Sequence, residues 1–160
     1  MFYKRESLES NSLCGSAVSR PRAVRKGYTM NSGFVIITNN TLVKERLGVK
    51  YDVEYYDISY EGVLRKVRDM VYLGHELLTH PLSGSVKPNE TPYKSVMVAK
   101  DAKKLDMNSM DIIERAIHSC SKFEFRSDKY RPEVYDDFKE IDLTLIESAI
   151  PSTEFQYSIN

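Results

Sequence analysis

Five consecutive residues, Phe34-Val35-Ile36-Ile37-Thr38, constrain this chain more than any others. An unbroken run of large apolar and β-branched side chains suits a strand covered on both faces, and it is too short to be a buried helix. Such a strand needs a packing layer above and below it, so the rest of the chain must supply helices for both faces. Thr38-Asn39-Asn40 then offers turn and cap chemistry, and Leu42, Val43 and Leu47 predict a short helix ending at Gly48. Tyr51–Tyr56 reads as a second strand near the sheet edge. Beyond it, Ser59 can cap a helix written by Val63, Leu64, Val67, Met70 and Val71 and stopped by Gly74.

Glu76–Thr79 predicts a third strand and Ser95–Ala99 a fourth, joined by a long loop holding Pro81, Pro88 and Pro92. Met110, Ile113, Ala116, Ile117 and Cys120 recur at helical spacing, with Asn108 or Ser109 as the cap. In the segment 132–150, Val134, Tyr135, Phe138, Ile141, Leu145, Ile146 and Ala149 predict one or two helices, with Pro151 forbidding continuation. These helices have two uses open to them: packing on the domain, or forming a partner or homo-oligomer surface. The expected fold is an α/β three-layer sandwich, a small, mainly parallel sheet of about four strands flanked by helices. The loop before the fourth strand contains no crossover helix, so a mixed sheet with that strand antiparallel is compatible as well.

A length of 160 residues with 41% apolar side chains suits one domain, expected over residues 30–160. Residues 1–29 read as a Ser-rich basic tail, with six basic residues against two acidic ones. Two accounts of it stay open: translation begins at Met30, or a genuine tail contacts an acidic partner. Both expect disorder there. Over the whole chain 23 basic residues balance 23 acidic ones, which argues against nucleic acid as a partner. No apolar run is long enough to cross a bilayer and no signal-peptide core is visible, so no membrane association and a cytoplasmic location are expected. Cys14 and Cys120 form no metal or redox spacing, and Cys120 reads as a buried structural thiol.

In α/β sheets ligands bind outside the carboxyl ends of the strands. Thr38, Asn39 and Asn40 leave the first strand there, and the loop that begins at Thr79 and His80 leaves the third. Ser83, Gly84 and Ser85 allow close backbone approach, and Lys87 or Lys94 can supply charge for a carboxylate or phosphate. With Asn89, Glu90 and Thr91, these residues make up the expected ligand-binding set for a small anion. The bland alternative is a proline-stiffened loop whose Asn and Thr side chains bond to its own backbone. His80 is the candidate acid or base, with a structural role equally open to it. Glu90 reads more simply as solvation of the loop. His75 is expected to cap the helix before it, and His118 has no ligand partner on its helix, so no metal site is predicted. Neither a Walker nor a Rossmann fingerprint is present, and no cofactor is predicted. Tyr51, Tyr55, Tyr56 and Tyr60 are read as packing residues, and Glu133, Asp136, Asp137, Glu140 and Asp142 as the solvated face of a helix.

Ile36-Ile37-Thr38-Asn39-Asn40, then Leu42-Val43, and above all the stretch LLTHPLSGSVKPNETPYKS at Leu77–Ser95 resemble the GrdX family. These are small proteins associated with the glycine reductase genes of anaerobic amino-acid-fermenting bacteria, without an assigned biochemical function. The similarity is traced from Phe34 to Phe123. It implies an accessory role beside glycine reductase components, with the chain lacking the cysteine equipment of a catalytic subunit. Three hypotheses follow: a ligand-sensing accessory protein, a small enzyme acting on a carboxylate or acyl phosphate through His80, and a scaffold that dimerises through its C-terminal helices.

Overall fold

The computed structural model describes residues 32–83 and 87–158. The expected tail at 1–29, with Cys14, lies outside them, as do Gly84 and Ser85. The elements run β1 (Phe34–Thr38), α1 (Thr41–Leu47), β2 (Val53–Tyr55), α2 (Tyr60–Tyr72), β3 (Ser95–Ala99), α3 (Met107–Cys120), a 3-10 turn at Ser127–Lys129, and α4 (Val134–Ser158).

β1 is the central strand of a three-stranded sheet in the order β2-β1-β3. It pairs parallel with β2, in the register Ile36 to Val53, and antiparallel with β3, in the register Phe34 to Ala99 and Thr38 to Ser95. The sheet is mixed, with Ser95–Ala99 antiparallel as the loop without a crossover helix allowed, and not mainly parallel. The expectation of about four strands is corrected to three. The expected third strand, Glu76–Thr79, lies along the outer edge of β3 but forms only an isolated antiparallel bridge, Leu77 to Val98. Backbone bonds run from Ala99 N to Glu76 O (2.8 Å) and from Leu78 N to Met97 O (3.0 Å). The ladder ends there because the hydroxyl of Thr79 accepts the Met97 N–H (2.9 Å), a donor that a regular strand would direct to a carbonyl, and Pro81 follows without an N–H of its own. Because β3 runs back against this segment, the loop between them needs no crossover helix.

Every residue of β1 and β3 is buried, as an unalternated apolar run requires. Val35, Ile37, Val96 and Val98 face Val63, Leu64 and Val67 of α2 and Ile113, Ala116 and Cys120 of α3. Phe34, Ile36 and Met97 face Val43 and Leu47 of α1 and Leu143, Ile146 and Ile150 of α4. Each sheet face thus carries two helices. Of the two uses open to the C-terminal segment, α4 takes the first and packs on the sheet.

Local chemistry accounts for most helix ends. Asn40 caps α1, its Oδ1 accepting from Leu42 N (3.0 Å), and Ser59 Oγ accepts from Gly62 N (3.1 Å) to start α2. Gly74, at φ +99°, closes α2: its N–H bonds Val71 O (3.0 Å), and that of His75 bonds Met70 O (3.1 Å). The ring of His75 reaches Ala99 O (2.9 Å), so it anchors the helix exit to β3. The cap of α3 is Asp106 rather than Asn108 or Ser109, its Oδ2 accepting from Ser109 N (2.8 Å). Ser109 instead accepts the Leu77 N–H on its hydroxyl (3.0 Å) and so holds the edge segment against α3.

Pro151 does not stop α4, contrary to the expectation that no helix continues past Ile150. A proline inside a helix removes one backbone hydrogen bond. Around it Ser152 Oγ (3.0 Å) and Thr153 Oγ1 (2.9 Å) both donate to Ala149 O, and the buried side chains of Ile150 and Thr153 hold the helix on the domain.

Candidate functional site

Where β1 ends and β3 begins, Thr38 and Ser95 are paired across the sheet, and both are buried. Asp142 of α4, 5% exposed, reaches the same point. Its Oδ1 accepts from Ser95 N (2.9 Å), and its Oδ2 accepts from Ser95 Oγ (2.7 Å) and Asn40 Nδ2 (3.0 Å). Ser95 has one hydroxyl proton and directs it to Asp142, so in the 2.7 Å contact between the two hydroxyls Thr38 is the donor. Thr38 in turn accepts from Asn40 N (2.9 Å). A directed chain of donors therefore runs from Asn40 N–H through Thr38 and Ser95 to Asp142, and it stitches α1, β1, β3 and α4 together.

Lys94, one residue before β3, is also 5% exposed. Its backbone N–H donates to Asn39 Oδ1 (2.8 Å), which holds it in place, and its Nζ donates to Ser83 Oγ (3.2 Å). Among the described residues no carboxylate lies within ion-pair distance of it. Burial pushes the ammonium below the ordinary lysine range, and the charge of Asp142 opposes that shift.

Lys94, Ser95 and Asp142 line a cavity of about 220 Å³. Thr79, His80 and Ser83 complete its polar wall, and Leu82, Leu145, Ile146 and Ala149 form an apolar one. Thr79 Oγ1 already accepts from Met97 N. Nδ1 of the exposed His80 lies 3.1 Å from both the N and the O of Leu82; in the tautomer that accepts from Leu82 N–H, the ring proton sits on Nε2.

The remaining expected residues have other work. Asn39 is saturated: its Nδ2 donates to Ile58 O and Pro92 O (2.8 Å each) and its Oδ1 accepts from Lys94 N. Thr38 and Asn40 belong to the network under the cavity rather than to its wall. Asn89, at φ +64°, donates to Phe123 O (2.9 Å), and Thr91 Oγ1 accepts from Tyr93 N (3.3 Å). Lys87 and Glu90 are exposed and pair with each other at 3.6 Å, as suits a charge pair on a solvated loop.

Asp142 was expected on a solvated helix face and is instead buried, whereas Glu133, Asp136, Asp137 and Glu140 are exposed. The signal in the sequence is phase: Asp142 lies four residues before Ile146, on the stripe that carries Leu143, Ile146 and Ile150 inward. Cys120 is buried, and burial raises its thiol to about 11. Tyr51 and Tyr60 are buried as packing residues. Among the described residues no group of three or more His, Cys, Asp or Glu side chains is placed to hold a metal, and no helix is long and apolar enough to cross a membrane.

Comparison with known protein families gives a match to the GrdX-like protein model over residues 35–151, well over half of the chain. The chain belongs to the GrdX-like protein family. The match extends beyond Phe123, where the resemblance in the sequence motifs ends, and takes in the part of α4 that carries Asp142, so the GrdX-like region includes both walls of the cavity. No curated protein matches the chain. No solved structure does either.

Proposed function

We propose that this GrdX-like protein is an accessory, ligand-sensing component of the glycine reductase system that binds a small anion at the carboxyl edge of its sheet. One observation carries the reading: the Lys94 ammonium is buried at the wall of a cavity, and Ser83 Oγ is its one hydrogen-bond partner among the described residues. A buried ammonium has three protons to satisfy and is costly to leave unpaired. Asp142 does not serve it, because the Lys94 Nζ bonds Ser83 and lies beyond ion-pair distance of the Asp142 carboxylate. An anion in the cavity supplies the missing charge and acceptors together. Membership of the GrdX-like family supports the glycine reductase context, and co-purification with reductase subunits tests that part.

A thermal-shift screen of the full chain against acetate, acetyl phosphate, phosphate and glycine tests the site. A ligand that binds only the folded state stabilises it by about 2.7 kcal/mol at a hundred times its dissociation constant. The expected result is a shift that Lys94→Met abolishes and Lys87→Ala leaves intact. Absence of any shift in the wild-type chain contradicts the reading.

A second reading is favoured by the presence of His80 at the same cavity. With Nδ1 held by Leu82, its Nε2 is available to exchange a proton with a bound carboxylate or acyl phosphate, as in a small enzyme. Hydrolysis of acetyl phosphate that falls at least tenfold in His80→Gln separates this reading from a sensor, which turns nothing over.

A further inference from the structure

The two walls of the Lys94 cavity say more than that an anion enters it. Among the described residues its polar wall offers more donors than acceptors. Lys94 Nζ keeps two N–H groups beyond its bond to Ser83. The hydroxyls of Ser83 and Thr79 act as acceptors toward Lys94 and Met97, which leaves the proton of each to donate. His80 adds Nε2–H in the tautomer that accepts from Leu82 N–H. Asp142 has about four lone-pair sites, of which the protein fills three, and the hydroxyl oxygens of Ser83 and Thr79 each keep one.

The charge of the wall is equally specific. Among the described residues Lys94 is the one lysine or arginine lining the cavity, and the buried Asp142 stands on the same wall. A dianionic phosphate would bring two negative charges against one ammonium and a neighbouring carboxylate, and like charges at close range in a buried site are costly. A monoanion brings a single negative charge to the Lys94 ammonium and meets less repulsion from Asp142 than a dianion does. The opposite wall is hydrocarbon, formed by Leu82, Leu145, Ile146 and Ala149. Leu145 remains 44% exposed, so the apolar surface there is available for a ligand to cover. A volume of about 220 Å³ lies below the range of roughly 300–1,000 Å³ usual for drug-sized ligands and suits a ligand of a few carbons.

We infer that the ligand is a short aliphatic monocarboxylate, its carboxylate on Lys94, Ser83 and Thr79 and its hydrocarbon chain against Leu145, Ile146 and Ala149. This rests on the anion-site reading above and narrows it to one class. An α-amino acid of the same skeleton suits the wall less well, because its α-ammonium, next to its carboxylate, would stand beside the Lys94 ammonium.

Calorimetric titration of the full chain with acetate, butyrate, isovalerate, valine and inorganic phosphate tests the assignment. Each methylene buried against the apolar wall raises affinity about fourfold, so butyrate is expected to bind at least tenfold more tightly than acetate. Isovalerate is expected to outbind both phosphate and valine. Leu145→Asn should lower the ratio of butyrate to acetate affinity. Equal affinity for acetate, butyrate and phosphate would overturn the aliphatic assignment while the anion site stands. Tighter binding of valine than of isovalerate would overturn it in favour of an amino acid read by Asp142. No binding of any anion by a chain whose circular dichroism shows it folded removes the underlying reading as well.

Discussion

Asp142 accepts both the backbone N–H and the hydroxyl of Ser95, at 2.9 and 2.7 Å, and so fixes the last long helix to the first residue of the edge strand β3. The same carboxylate accepts from Asn40, the cap of α1, at 3.0 Å. Three elements distant in sequence meet on one buried side chain.

Asp142→Ala removes the acceptor for all three of those donors. Leaving buried donors unsatisfied costs about 3 kcal/mol in sum, and urea denaturation of the variant should show a loss of that size. Asp136→Ala, which removes an exposed partner of Lys139 at 3.0 Å, is expected to change stability by less than about 0.5 kcal/mol.

Lys94→Met should stabilise the fold near neutral pH, because it replaces a buried ammonium with an apolar side chain of similar length. The pH dependence follows from the depressed titration of Lys94 relative to its ordinary value of 10.5. Between the folded and the unfolded value, the unfolded chain binds more protons at this site, so wild-type stability rises with pH through that window. The advantage of Lys94→Met is therefore largest below the folded value and shrinks as pH approaches 10.5. Paired denaturation curves across that range measure the difference directly.

Gly74→Ala tests the closure of α2. At φ +99° an L side chain is strained, and a Cβ there drives into the carbonyl oxygen of Lys103. The expected loss exceeds about 1 kcal/mol, seen as a lowered midpoint in thermal unfolding.

Cys120 should resist alkylation while the chain is folded. Its thiol is buried and raised to about 11, so at about pH 8 it is protonated and inaccessible. Mass spectrometry of the Cys120 peptide after iodoacetamide treatment is expected to show modification that tracks global unfolding as denaturant is added.

Where local pattern decided the outcome, the fold was legible in the sequence. Phe34–Thr38 is the buried central strand, and the periodic run from Val63 to Val71 lies on a helix capped by Ser59 and closed at Gly74. Misreadings came where a long-range contact overrode local preference. Thr79 looked like strand, but its hydroxyl takes the ladder position opposite Met97. Pro151 looked like a stop, but the packing of Ile150 and Thr153 carries α4 through it.

At the candidate site the sequence supplied residue types without ranking them. Lys87 and Lys94 were equivalent as charges on one loop, yet the structure leaves Lys87 exposed beside Glu90 and buries Lys94. The difference comes from Asn39, more than fifty residues away, whose Oδ1 fixes the Lys94 backbone. Asp142 lies among acidic neighbours in the sequence, and its position on the apolar stripe of Leu143, Ile146 and Ile150 is the feature that buries it.

Binding at Lys94 is read most directly from the NMR signals of the lysine side chains, with ¹³C at Cε, recorded while isovalerate is added to the full chain. The resonance lost in Lys94→Met is expected to move and saturate, while the Lys87 resonance stays in place. A Lys94 resonance that does not respond, or a response confined to Lys87, contradicts binding at that site.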